Sequence, residues 1–220
     1  MNELTYTLIT DGSSDRALEP ILTWLLRQFL KENVTVQSEW ADLRRIPNSP
    51  KKLHDKIVVA LDMYSPCNIL FIHRDAERDP LEKRVQEIRV AERIVANSLK
   101  ADIPLPPIVC VIPIRMIESW LLFDEVAIRE ATGNRNGKQE LDLPKLVEIE
   151  KIADSKARLH EIFKKADFPS RRGKKPNIPS NARLAARIDN FEPLRNLSAF
   201  QELEKELKIT LIDNFPDLLT

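Results

Sequence analysis

Glycine is scarce in this chain, with four among 220 residues. No Gly-rich phosphate loop is present, nor a nucleophile elbow, a Cys-His pair or an HExxH motif, which sets aside the common NTPase, hydrolase and zinc-protease classes. There are only two cysteines, Cys67 and Cys110, each in or beside an apolar run, so neither a disulfide framework nor a zinc site is indicated. Nowhere do about eighteen apolar residues run together, and Met1-Asn2-Glu3-Leu4 has no basic leader character. The expectation is a cytoplasmic protein without a membrane partner. An excess of one charge is also missing, since Lys plus Arg and Asp plus Glu stand at 34 each. Overall charge therefore predicts no nucleic-acid partner, and any such site must be a local patch.

What is present is a soluble globular composition, 43% hydrophobic and 31% charged, in a chain long enough for one sizeable core. Its organising stretch is Ile69-Leu70-Phe71-Ile72-His73-Arg74-Asp75-Ala76-Glu77. The apolar run predicts a buried strand of a parallel sheet, with its carboxylates at the end. In open α/β sheets ligands bind outside the carboxyl ends of the strands. Asp75 and Glu77, two apart in extended chain, would face one way and offer hard oxygens to a magnesium ion. The plainer alternative is that Asp75 opens a polar loop and Glu77 caps the following helix.

From the start, Leu4 to Thr10 predicts a strand running into the turn Asp11-Gly12-Ser13-Ser14-Asp15. Gly12 there answers a positive φ or a close approach, and Ser13, Ser14 and Asp15 can each cap the helix that follows. Asp11, not needed as a cap, sits at the strand's end like Asp75. Further strands are expected at 34–37 and 108–114, with helices over 50–62 and from Pro80 to Lys100, a β-α-β-α-β rhythm. The run 115–124 predicts an apolar helix interrupted by Glu118. Spacing alone places Glu118 on its exposed side; buried, it would need a partner, a proton or a cation. From about 130 the character becomes short helices, with core contacts from Ala182 to Ile188, from Phe200 and from 209–212. The expected organisation is thus an α/β domain over 1–130 and a helical extension over 131–220 packed on it. Within the extension, Arg171, Arg172, Lys174 and Lys175 form the densest basic run, able to neutralise phosphates or simply solvated.

Acids at three strand ends, Asp11, Asp75 with Glu77, and Glu118 beyond, would repel unless a divalent cation neutralised them. Mg²⁺ or Mn²⁺ and metal-assisted phosphoryl transfer follow as the expected chemistry. The pairing of Asp11-Gly12-Ser13-Ser14-Asp15 with Asp75-Ala76-Glu77 resembles the Toprim fold of topoisomerases, primases and overcoming-lysogenization-defect nucleases. More closely, the segment from Pro113 to Asp124 is similar to the Toprim-like family catalogued as domain of unknown function 4276. The resemblance implies a mostly parallel sheet of about four strands flanked by helices, and a nuclease acting on DNA or RNA, possible only with an intact site. It implies that Asp11 stands where Toprim proteins carry glutamate, that Asp75 and Glu77 stand on their Asp-x-Asp pair, and that Glu118 matches the family's own glutamate. It further implies a role in phage defence beside an ATPase partner. Asp for Glu at 11 and Glu for Asp at 77 keep the charge but change the reach by one methylene, which leaves open a degenerate site on a non-catalytic, partner-binding subunit.

Overall fold

The computed structural model describes residues 2–98, 105–167 and 178–220. The basic run 171–175 lies outside them. Four strands form one sheet: β1 (Glu3–Ile9), β2 (Thr35–Ala41), β3 (Ile69–His73) and β4 (Ile108–Val111). All neighbours are parallel and the order is β2-β1-β3-β4. From β1 the chain runs outward to β2 and then returns to the other side of β1 as β3. The order therefore reverses between β1 and β3, and the crevice at their carboxyl ends is where open α/β sheets take ligands.

Alternation along the strands builds two cores. Leu4, Tyr6 and Leu8 of β1 join Ile69, Phe71, Val109 and Val111 on one face, while Ile9, Leu70, Ile72, Ile108 and Cys110 face the other way. The first face is covered by α1 (Leu18–Arg27), which buries Leu18, Ile21, Leu22, Leu25 and Leu26 at helical spacing. The second is covered by α2 (Leu53–Met63) through Ile57 and Ala60 and by α3 (Leu81–Ser98) through Ile88, Ala91 and Val95.

After β4 the expected apolar helix is instead a 3₁₀ turn, Ile117–Leu121, followed by α4 (Glu125–Thr132). Asp124 ends the turn by capping α4, its side chain accepting from Ala127 N at 2.9 Å. The helices α5 (Leu146–Ile149), α6 (Ser155–Asp167), α7 (Asn181–Ala185) and α8 (Ser198–Asn214) follow. Their buried residues, among them Phe163, Leu184, Phe200 and Leu211, share the first core with β1 and α1. Trp120 of the turn meets Phe200 of α8 edge to face, at 5.4 Å between ring centroids. Of the segment 209–212, expected to supply core contacts, Leu211 alone is buried; Ile209 and Ile212 are about half exposed. The outer edge of β4 is closed by side chains. Glu206 of α8 accepts from Cys110 N at 3.0 Å and from the Arg89 guanidinium, which also donates to Ile108 O at 3.1 Å. No described helix is long and apolar enough to cross a membrane.

Candidate functional site

At the end of β1, the turn that carries Gly12 is closed by Asp15. Instead of capping the helix, the Asp15 carboxylate folds back, accepting from Gly12 N and from Ser14 Oγ at 2.8 Å each. A Cβ on Gly12 would stand 3.2 Å from Asp15 Oδ2, so a close approach calls for the glycine; its φ is not positive. Asp15 is 6% exposed and Ser13, at the cap position of the 3₁₀ turn Ser14–Ala17, makes no side-chain cap bond.

The next strand end supplies a residue that periodicity hid. His73 closes β3 at 2% exposure, with Nδ1 3.0 Å from Val111 O. A carbonyl only accepts, so Nδ1 carries a hydrogen and Nε2 is turned inward. Nε2 lies 3.4 Å from Asp75 Oδ1 and 3.8 Å from Asp15 Oδ2. Facing two carboxylates, that nitrogen calls for a proton or a metal ion. Asp75 Oδ1 also accepts from Ile117 N at 3.0 Å. Burial pushes the Asp75 carboxyl up to about 6; His73 opposes the shift, and the neighbouring carboxylates of Asp15 and Glu118 add to it.

Glu118 is buried, at 5% exposure, contrary to its expected exposed placement. All five residues of the 3₁₀ turn Ile117–Leu121 are buried, so the turn has no solvent face on which the glutamate could lie. Its Oε1 accepts from Asn181 Nδ2 at 3.0 Å, so the carboxyl-terminal helices reach the site through the first residue of α7. Nothing in the sequence around Asn181 signals this. His73 carried a weak signal, as one of three histidines and the residue closing an apolar strand run.

Asp11 and Glu77 stand apart from this cluster. Asp11 accepts from Lys56 Nζ at 2.7 Å and faces Arg74 Nε at 3.1 Å. Burial pushes its carboxyl upward, but Lys56 and Arg74 outweigh that and hold it below the usual range. Glu77 has φ 55°, so the extended-chain spacing that would align it with Asp75 does not hold past His73. Its side chain is 66% exposed, 3.6 Å from Arg84. Arg171, Arg172, Lys174 and Lys175 lie outside the described residues.

Among the described residues no group of three or more His, Cys, Asp or Glu side chains could hold a metal ion by itself. Mg²⁺ commonly takes only one or two carboxylates, with waters and substrate phosphates as its other ligands. Asp75, half-buried, and Glu118, buried, are hard-oxygen donors of that kind, in a site where burial, with the neighbouring carboxylates adding to it, raises the Asp75 carboxyl.

Fold and site together define a parallel α/β protein with buried acids at its topological switch point. The chain belongs to the family described as domain of unknown function (DUF4276), whose model matches residues 11–208. Comparison with the curated proteins and with the solved structures gave no match.

Proposed function

We propose that this chain is a Mg²⁺- or Mn²⁺-dependent nuclease of the Toprim type, hydrolysing phosphodiesters of DNA or RNA at the carboxyl ends of β1 and β3. The observation that carries the reading is the gathering of Asp75 and Asp15 around the inward-facing His73 Nε2, with Glu118 close enough to Asp75 to push its carboxyl up: three acids against one imidazole. Asp75 and Glu118 would hold the metal. When bound, the ion would polarise a phosphate oxygen and position a nucleophilic water. The protein's own part is positioning. Ile117 N–H and the His73 ring hold Asp75, Asn181 orients Glu118, and Asp11 aims Lys56 and Arg74 at the rim, where their charge favours an incoming phosphate. Arg171, Arg172, Lys174 and Lys175 would contact phosphate as well; Lys175 precedes Asn181 by only six positions in the chain.

The Toprim resemblance supports an effector role in phage defence, acting with an ATPase. A second reading, a non-catalytic subunit with a degenerate site, is favoured by one observation: Asp11 and Glu77, two of the three positions matching the Toprim acids, are each engaged by cationic side chains.

The test is incubation with supercoiled plasmid and single-stranded RNA in Mn²⁺, with an identically prepared Asp75→Asn protein as control. Cleavage by the wild type alone is the expected outcome. Equal cleavage by both proteins would remove Asp75 from the chemistry; cleavage by neither favours the binding subunit.

A further inference from the structure

The rim of the sheet has a second half that the acids do not use. At the end of β2, Trp40 donates Nε1–H to Thr10 Oγ1 at 3.0 Å, and Thr10 Oγ1 donates to Gly12 O at 3.0 Å. The indole is thereby tied to the turn that carries Asp15. Against its ring lie the guanidiniums of Arg16 and Arg44, 5.6 and 5.7 Å from the centroid. Each is held from behind. Arg16 Nε rests on Glu19 at 2.7 Å, and Arg44 Nε and Arg45 Nε rest on the two oxygens of Asp42 at 2.9 Å each. The hydrogen bond from Arg44 and the charges of both arginines hold Asp42 below the usual carboxylate range, which keeps this bracket ionised. Bound through Nε, on side chains 58%, 45% and 84% exposed, the three guanidiniums present their outer edges to solvent.

Beside them a concavity is lined by Arg16, Trp40, Arg45, Met63 and Tyr64, together with three carboxylates, of which Glu19 and Asp42 are the ones that hold the arginines and Glu39 is the third. Two aromatic rings, a polarisable thioether half exposed at its mouth and preset guanidiniums make a stacking platform with phosphate donors along its edge. Single-stranded nucleic acids are held this way: unpaired bases stack on aromatic rings and guanidinium planes while Arg takes the backbone. A duplex hides its base faces and offers only phosphates.

We propose that this cleft binds one or two nucleotides of a single-stranded nucleic acid, bases against Tyr64 and the Arg-Trp layer and phosphates on Arg16, Arg44 and Arg45, and leads the strand towards Asp75. The inference rests on the nuclease reading for its direction, but binding is measurable without cleavage.

The experiment is fluorescence anisotropy with an end-labelled twelve-nucleotide single strand, as DNA and as RNA, and with the DNA as a duplex, all in EDTA so that no metal-dependent cleavage occurs. The single strands are expected to bind at least about ten-fold tighter than the duplex. Trp40→Ala weakens them about ten-fold or more, Trp40→Phe recovers most of the loss, and Asp75→Asn binds at least as tightly as wild type. Arg44→Ala/Arg45→Ala, both at exposed positions, weakens binding and lowers the salt slope by about 1.4, two phosphate contacts at ~0.7 each. Equal affinity for duplex, unchanged binding by the Trp40→Ala and Arg44→Ala/Arg45→Ala proteins, or no binding of any nucleic acid would overturn the cleft. Loss of cleavage in Asp75→Asn with this cleft disproved would leave the nuclease reading standing; binding without cleavage by the wild type would leave the cleft standing alone.

Discussion

Asp75 is where burial, two neighbouring carboxylates and one imidazole act on a single proton. Its folded carboxyl titrates at about 6 against a reference of 3.8, so the folded state holds the proton more tightly than the unfolded one. The stabilising contribution is complete below 3.8 and is lost as pH rises through about 6. In metal-free protein the ionised side chain is thus a liability at pH 7.5. Urea unfolding in EDTA is expected to find Asp75→Asn more stable than wild type there, by up to about 2 kcal/mol, with the difference vanishing near pH 4. Saturating Mn²⁺ reverses the order, because only the wild-type carboxylate binds the ion. Asn181→Ala, which leaves a buried Glu118 oxygen without its donor, is expected to cost about 1–3 kcal/mol in the same assay. Asp75 was legible in the sequence because strand ends of α/β sheets carry chemistry whatever the loop does. Its surroundings were legible only in part. Glu118 stood out as an acid beyond a strand end, but apolar spacing put it on an exposed side and the turn that carries it is buried throughout, while Glu77 is turned away by a left-handed backbone that the two-residue rule ignores.

Among the elements, β4 and α8 show what holds the carboxyl-terminal part against the sheet. β4 is an edge strand, and the groups it presents outward are met by the Arg89 and Glu206 pair rather than by another strand. Removing Glu206 leaves Cys110 N–H without its acceptor and Arg89 Nη2 without its partner, while Arg89 Nη1 keeps Glu92 and Ile108 O. Glu206→Ala is expected to lower stability by about 2–4 kcal/mol in chemical denaturation, and Glu206→Gln, which keeps an acceptor oxygen, by less. Of the stripe Phe200, Leu203, Leu207 and Leu211 that α8 buries, Phe200 and Leu211 were among the core contacts expected from the sequence and the two leucines between them were not. The full extent of β2, Thr35–Ala41 against an expected 34–37, was not, because an edge strand exposed along most of its length has no apolar alternation to read.

For the whole molecule, the β-α-β-α-β rhythm announced a parallel sheet, while the position of β1 between β2 and β3 came only from the structure. That position makes the switch point and so joins Asp15, on the β1 side, to His73 and Asp75 on the β3 side. Residues on both sides of position 130 share one core, in which Leu8, Trp120, Phe163 and Phe200 all take part. Thermal unfolding followed by far-ultraviolet circular dichroism and by tryptophan fluorescence is accordingly expected to give coincident single transitions, and a 1–130 fragment, stripped of the cover over Trp120, to lack a cooperative one.

The assignment of a divalent cation to Asp75 and Glu118 is tested by titration calorimetry with Mn²⁺. Wild type, Asp11→Asn and Glu77→Gln are predicted to bind one ion with similar affinity, and Asp75→Asn and Glu118→Gln to lose at least ten-fold. Full-strength binding by Asp75→Asn, or a loss confined to Asp11→Asn and Glu77→Gln, would contradict it.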